Sequence, residues 1–309
     1  MRVDLVVNRT ARGHARDASL LDRMAHLVRG RCVIHDTSSV DELTEAADAI
    51  VAADSGLVIF SGGDGTLMAG VTALASRFGE RIPPIAPLSA GTAGTVARNW
   101  GVVGDPLVQL GSLLDGPRRL IVRPSLAVRA TRKASSQRRV GFIFGTGLVA
   151  SFFRVYEARG APGYTGAARL VTRIFLESFV GGPMARRVLD PLPCQLEVDG
   201  QTLPPEAWSL VCAAVVPNLG IGMRLTYRAA EDFARPHLVA SALPPRRLGP
   251  RAPRVLAGRS LGGPDLVDDL VGTLRIVFPK VGPYVLDGEL LAAETVEVTA
   301  GPRLTIATC

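Results

Sequence analysis

The chain has 309 residues, 47% of them hydrophobic and 20% charged, and 35 basic against 28 acidic side chains give a net charge of +7. That length is long for one core and comfortable for two, and the composition excludes a disordered chain. Residues 207–223, the longest uncharged stretch, are broken by Pro217, Asn218, Gly220 and Gly222, so no membrane-spanning helix is expected.

From the N-terminus, residues 3–7 read as a strand that ends at Asn8, and residues 19–27 have the apolar spacing of a helix. Asp4 and Asn8 so close behind the start leave no apolar core for a signal peptide, and a cytoplasmic protein is expected. Residues 31–35 give a second strand. A helix over residues 40–53 follows, opened by Ser39 as N-cap with Glu42 three positions on, a capping box. Residues 57–60 form a third strand, and Ser61-Gly62-Gly63-Asp64-Gly65 turns into a helix over 66–78. A fourth strand, 85–88, leads through the small-residue loop 89–93 into a short helix ending at Asn99. Strand and helix in alternation predict an α/β domain with a mostly parallel sheet.

Beyond residue 120 the texture changes to short strands at 125–130, 140–144, 195–198, 210–216, 274–278 and 295–299, interrupted by one helix at 167–179. A second domain of antiparallel strands, a β-sandwich, is expected. Residues 243–259, rich in Pro and Arg, read as an exposed loop. The cysteines Cys32, Cys194, Cys212 and Cys309 and the histidines His14, His26, His35 and His237 have neither metal-ligand nor disulfide spacing, and the cysteines read as reduced, mostly buried thiols. Arginine dominates the basic residues, with two stretches at 118–139 and 246–259. These suit either a solvated surface or attraction to anionic headgroups and nucleotides. No helix-turn-helix, RNP or zinc-finger pattern points to nucleic acid.

Three motifs carry chemistry. Gly62-Gly63-Asp64-Gly65-Thr66 lies between a strand and a helix, where glycines let the backbone approach a phosphate and the helix start offers free N–H groups. Asp64 would repel a phosphate and makes sense beside Mg²⁺, water or an Arg. A tight βα turn without a ligand accounts for the same residues. Ser89-Ala90-Gly91-Thr92-Ala93-Gly94-Thr95 is a second loop of this form, with Arg98 one turn into its helix, and two such loops at adjacent strand ends would face one crevice. Asp287-Gly288-Glu289 sets two carboxylates around a glycine, either an acidic turn or the group that takes a proton from an alcohol during phosphoryl transfer. No P-loop lysine motif or G-x-G-x-x-G is present.

Asn8 with Gly13, Gly62–Thr66, Gly91-Thr92 followed by Ala97-Arg98, and Asp287-Gly288-Glu289 occur in an order that resembles the diacylglycerol kinase catalytic-domain family. That family includes bacterial lipid kinases, sphingosine kinases and ceramide kinases and is distantly related to NAD kinases. The resemblance implies a nucleotide-binding α/β domain over 1–122, a β-sandwich lipid domain over 123–293, a catalytic cleft between them and a tail, 294–309, that returns to the first domain. It implies ATP and Mg²⁺ as cofactors, with Asn8, Thr37, Gly62, Gly63, Asp64, Gly65, Thr66, Gly91 and Thr92 at the nucleotide. Glu289 is similar to the carboxylate assigned as proton acceptor in bacterial members; Asp287 or Asp64 has that part in others. Gly94 and Thr95 stand where the family has Asn and Asp, and Asn8-Arg9 where it has Asn-Pro. Its structural Mg²⁺ loop has no clean match near Glu231 and Asp232, so a structural metal is left open. Gly145-Thr146-Gly147 reads as a cleft-lining segment or an ordinary hairpin. Phe142, Phe144, Phe152, Phe153, Phe175 and Phe179 read as an acyl-pocket wall or plain core.

The function expected is phosphorylation of a diacylglycerol-like or sphingoid lipid by a protein that docks on the anionic inner membrane surface through basic and apolar loops. A homodimer is left open. A kinase of the NAD kinase type and a degenerate, lipid-binding relative are the alternatives.

Overall fold

A computed structural model describes residues 2–11, 14, 17, 19–79, 81–89, 94–160 and 163–309, and for Ser89 and Tyr164 the backbone alone. The chain divides into two compact units, Met1–Pro124 with Pro302–Cys309, and Ser125–Gly301.

The first unit is built on a six-stranded sheet. β1 (Val3–Asn8), β2 (Val33–Thr37), β3 (Leu57–Gly62) and β4 (Ile85–Ser89) pair in parallel in the order β2-β1-β3-β4. The chain's last strand, β18 (Leu304–Thr308), extends the sheet parallel to β4, and β5 (Arg119–Arg123) closes it antiparallel to β18. The helices are α1 (Ser19–Val28), α2 (Val40–Ala52), α3 (Asp64–Phe78), α4 (Thr95–Asn99) and α5 (Pro106–Asp115). Leu5, Val7, Ile59 and Leu88 turn one sheet face toward Met24 and Val28 of α1 and Leu110 and Leu113 of α5. Phe60 points the other way, against Gly70 of α3. Burial on both faces explains why the central strands read as continuous apolar runs.

Two local readings are refined. Ser39 caps α2 by accepting from the Glu42 N–H at 3.2 Å, but the Glu42 carboxylate accepts from the N–H and hydroxyl of Ser38, one residue before the cap. α3 begins at Asp64, not Thr66, because Gly63 takes the extended N-cap conformation and its carbonyl accepts from Leu67. α5, unread in the sequence, is opened by Asp105, which accepts from Leu107 and Val108, with Pro106 at the first helical position.

The second unit holds a ten-stranded antiparallel sheet. Its strands include β6 (Leu126–Arg132), β7 (Ser135–Gly141), β8 (Ile143–Gly147), β9 (Leu192–Pro193), β10 (Gln195–Val198), β11 (Gln201–Thr202), β12 (Ala207–Trp208), β13 (Leu210–Ala214), β14 (His237–Ser241), β15 (Leu266–Leu270), β16 (Thr273–Leu286) and β17 (Glu289–Ala300), of which β9 and β12 pair separately. The main order is β15-β14-β13-β8-β16-β17-β6-β7, with β10 on β16 and β11 on β10. β17 pairs with β6 over Thr295–Ala300 and so stays in this sheet as far as Ala300; the part of the tail that joins the first unit is residues 302–309, later than position 294.

The strand expected over 140–144 is two strands, broken at Phe142. Gly145-Thr146-Gly147 is not a hairpin but the end of β8, where the Thr146 hydroxyl donates to the Pro283 carbonyl at 2.6 Å. Helices α6 (Leu148–Ala158), α7 (Gly163–Val180), α8 (Pro183–Leu189), α9 (Pro245–Leu248) and α10 (Ala252–Leu256) share a core with the sheet through Val155, Leu170, Val188, Cys212, Leu248 and Val255. Residues 243–259 are therefore not an exposed loop. Their prolines stand at helix starts, where a missing N–H costs nothing, and Leu243, Leu248 and Val255 point inward while most of the arginines stay outside. No helix among the described residues is long and apolar enough to cross a membrane.

Candidate active site

In the order β2-β1-β3-β4, the chain moves one way from β1 and the other way from β3. Open α/β sheets bind ligands beyond the carboxyl ends of their strands at such a reversal. Asn8 ends β1, Thr37 ends β2 and Gly62 ends β3. The Asn8 Nδ2 donates to Thr66 Oγ1 at 3.0 Å, and its Oδ1 accepts from the N–H and hydroxyl of Thr10. Thr37 is buried, and its hydroxyl donates to the Val7 carbonyl.

The glycines differ in what requires them. A Cβ at Gly62 would stand 2.4 Å from Thr66 Oγ1 and 2.6 Å from Thr66 Cβ, so strand end and helix approach more closely than any side chain permits. Among the described residues no atom lies within 4 Å of a Cβ built at Gly63 or Gly65, which leaves open space over the loop. Gly63 offers no side-chain cap to α3, so among the described residues no cap side chain meets the first-turn amides, which suit an anion or water. Uncapped amides under an open glycine surface fit a nucleotide phosphate.

Asp64 has a different setting from the one expected. Its two carboxylate oxygens accept the N–H groups of Thr95 (2.8 Å) and Val96 (3.0 Å), so it caps α4 from a neighbouring helix. Gly94, left-handed at φ 49°, makes the turn that presents those amides. Burial pushes the Asp64 carboxyl above the ordinary aspartate range, opposed by the two N–H groups and by Arg98. Phe60, Gly62, Gly63, Gly94 and Ala97 line a small recess with it. No group of three or more His, Cys, Asp and Glu side chains among the described residues could hold a metal. A protein-built Mg²⁺ cage therefore does not fit here; Mg²⁺ carried on nucleotide phosphates needs only one or two carboxylates. Gly13, Gly91 and Thr92 lie outside the described residues.

In the second unit, Asp287 and Gly288 form the two-residue turn joining β16 to β17, with φ of 48° and 89°. Positive φ at both positions is the twist-matched hairpin turn, which Asp-Gly suits. The Asp287 carboxylate is clasped by the N–H of Phe142 (3.0 Å) and of Ile143 (2.8 Å), and its own N–H donates to the Ile143 carbonyl. These contacts break the strand at Phe142. Glu289 points elsewhere: one oxygen meets Arg139 at 2.9 Å and the side chain is 44% exposed. Of the six phenylalanines, Phe142 and Phe144 are fully buried core and Phe179 is 54% exposed.

Sequence reasoning gave no part to two histidines that the structure buries. His14 contacts the Ser61 hydroxyl at 3.1 Å, and its Nδ1 has no hydrogen-bond partner among the described residues. His237 bonds Asp268 at 2.8 Å, with Tyr227 on the same carboxylate. Neither sits in a motif, and their partners lie 47 and 31 positions away in the chain.

Residues 2–122 match the diacylglycerol kinase catalytic domain. The family recognised from the motifs is the one this match gives. Among solved structures, a diacylglycerol kinase from Bacillus anthracis is similar at 16% identity and a TM-score of 0.63, covering 100% of this chain and 97% of that one. A second Bacillus anthracis protein, provisionally named a diacylglycerol kinase, gives 17% identity and a TM-score of 0.70 over 100% and 97%. An NAD kinase from Archaeoglobus fulgidus in complex with ATP gives 13% identity and a TM-score of 0.49 over 99% and 93%. At such identities the likeness to the two Bacillus anthracis proteins speaks to the fold. No curated protein matches the chain.

Proposed function

We propose that this chain transfers the γ-phosphoryl group of ATP to the hydroxyl of a diacylglycerol-like or sphingoid lipid. The observation that carries the reading is the uncapped start of α3 beneath the open glycines of a segment matching a diacylglycerol kinase catalytic domain. Amides fixed before the nucleotide arrives need no reorganisation to hold its phosphates, and phosphoryl transfer depends mainly on such positioning and charge stabilisation.

In the reaction the lipid oxygen bonds to the γ-phosphorus, the bond to the bridging oxygen breaks, ADP leaves and the hydroxyl proton passes to a carboxylate. We assign that carboxylate to Glu289. The hydrogen bonding supports the choice: Asp64 and Asp287 each hold backbone amides, while Glu289 makes an ion pair with Arg139 and keeps solvent access. Mg²⁺ would screen the phosphate charges when bound with the nucleotide.

Glu289→Gln tests the assignment. An exposed ion pair contributes at most about 1 kcal/mol, so the variant keeps its melting temperature and its stabilisation by Mg²⁺-ATP. Turnover falls at least about 100-fold. Near-normal turnover removes Glu289 from the mechanism.

A further inference from the structure

The outer face of α7 has no covering element among the described residues. Ala167, Leu170, Ile174 and Ser178 turn one side of the helix into the core of the second unit. Opposite them, Leu176, Phe179 and Val180 are 61%, 54% and 70% exposed at the helix end. Arg169, Arg173, Leu176 and Val180 follow a spacing of four, three and four residues, which puts them on one stripe. Arg246 of α9 donates to the Val180 carbonyl at 3.1 Å and brings the 244–259 segment alongside.

Charge gathers here. Residues 163–190 and 244–259 carry nine arginines against Glu177 and Asp190, a net of +7, which equals that of the whole chain; the remainder balances at 26 basic and 26 acidic residues. Arg169, Arg186, Arg187, Arg247 and Arg259 pair with no carboxylate among the described residues. Glu177 is itself occupied, accepting from Arg173 and from the first amides of α8.

We propose that this face of α7, α8, α9 and α10 docks on an anionic lipid bilayer, with Leu176, Phe179 and Val180 entering the headgroup boundary and the arginines meeting the phosphates. The inference deepens the lipid-kinase reading, since the acceptor hydroxyl of such an enzyme is met at a bilayer. An apolar helix end beside cationic side chains matches a surface that is anionic outside and apolar beneath. A second copy of the chain fits poorly, because a two-fold contact through this face would set arginine against arginine.

The test uses the full chain, without ATP, and phosphatidylcholine vesicles with or without phosphatidylglycerol, none containing an acceptor lipid. Sedimentation with the vesicles requires phosphatidylglycerol and weakens at high salt. The variant Leu176→Ser/Phe179→Ser loses about tenfold or more in partitioning, and Arg169→Gln/Arg187→Gln loses binding chiefly at low salt. Val40→Ser/Val108→Ser, at positions equally exposed in the first unit, binds as the parent does. The inference is overturned if the Leu176/Phe179 variant, folded by its melting temperature, sediments like the parent, if the parent binds both vesicles alike or neither, or if the substitutions only dissociate a dimer. Binding is read without turnover, so a chain that binds vesicles but phosphorylates no lipid defeats the proposed reaction and leaves the docking face standing. A chain that phosphorylates a soluble short-chain diacylglycerol without binding vesicles does the reverse.

Discussion

Gly62→Ala isolates the close approach on which the glycine loop is built. The new Cβ would lie 2.4 Å from Thr66 Oγ1, 2.6 Å from Thr66 Cβ and 2.8 Å from Thr66 Cγ2. Thr66 cannot rotate clear, because its own Cβ is among the clashing atoms and is fixed to the first turn of α3. Either the helix start or the strand end must move by about 1 Å, and overpacking of this kind costs about 1–3 kcal/mol. The shift also pulls Thr66 from Asn8, a 3.0 Å hydrogen bond contributing about 1 kcal/mol. A loss of roughly 2–4 kcal/mol lowers the melting temperature by about 10 °C, and stabilisation by Mg²⁺-ATP disappears with the displaced amides. Gly65→Ala is the contrast. Nothing lies within 4 Å of its Cβ and alanine suits a helix better by up to about 1 kcal/mol, so the apo protein gains stability while a bound phosphate meets an added methyl. Differential scanning fluorimetry with and without nucleotide reads both. An unchanged melting temperature in Gly62→Ala, or equal losses in the two variants, refutes the reasoning.

Further outcomes follow from the same contacts. Asp287→Ala leaves the Phe142 and Ile143 amides without their acceptor and puts alanine at φ 48°; a loss of about 3 kcal/mol or more is expected in urea unfolding. A urea midpoint equal to the parent's would show that the clasp is idle. The two aspartates Asp64 and Asp268 give opposite pH dependences. Burial holds Asp64 above its unfolded value, so its contribution is fullest below that value and fades as pH rises through the raised one. At Asp268 burial acts upward but is outweighed by hydrogen bonds from His237 and Ser260, so its contribution is present above the unfolded value and fades as pH falls through the lowered one. Stability measured against pH in Asp64→Asn and Asp268→Asn loses these two slopes separately; identical profiles in both variants contradict the assignment.

The first unit was legible because its signals are local. Val3–Asn8 and Leu57–Gly62 are apolar runs closed by small polar or glycine residues, and Ser39 caps α2 within four positions. The glycine turn between β3 and α3 was legible for the same reason. The setting of Asp64 was not, since its partners are amides 31 and 32 positions away on a helix whose start depends on Gly94. Phe142 could not be read as a strand break, because the carboxylate that turns its amide aside comes from 145 positions later. The helices within 243–259 were hidden by composition: proline and arginine argue for a loop until Leu248 and Val255 find a core contributed by Leu170, Val188 and Cys212.

The most direct measurement is the fate of the γ-phosphate. The full chain is incubated with γ-labelled ATP and Mg²⁺, alongside diacylglycerol or a sphingoid base in mixed micelles, or NAD. Label moving into an organic-extractable phospholipid, and not into NADP, is the expected result. Label in NADP, or ATP that binds and raises the melting temperature while no lipid is ever labelled, contradicts the account.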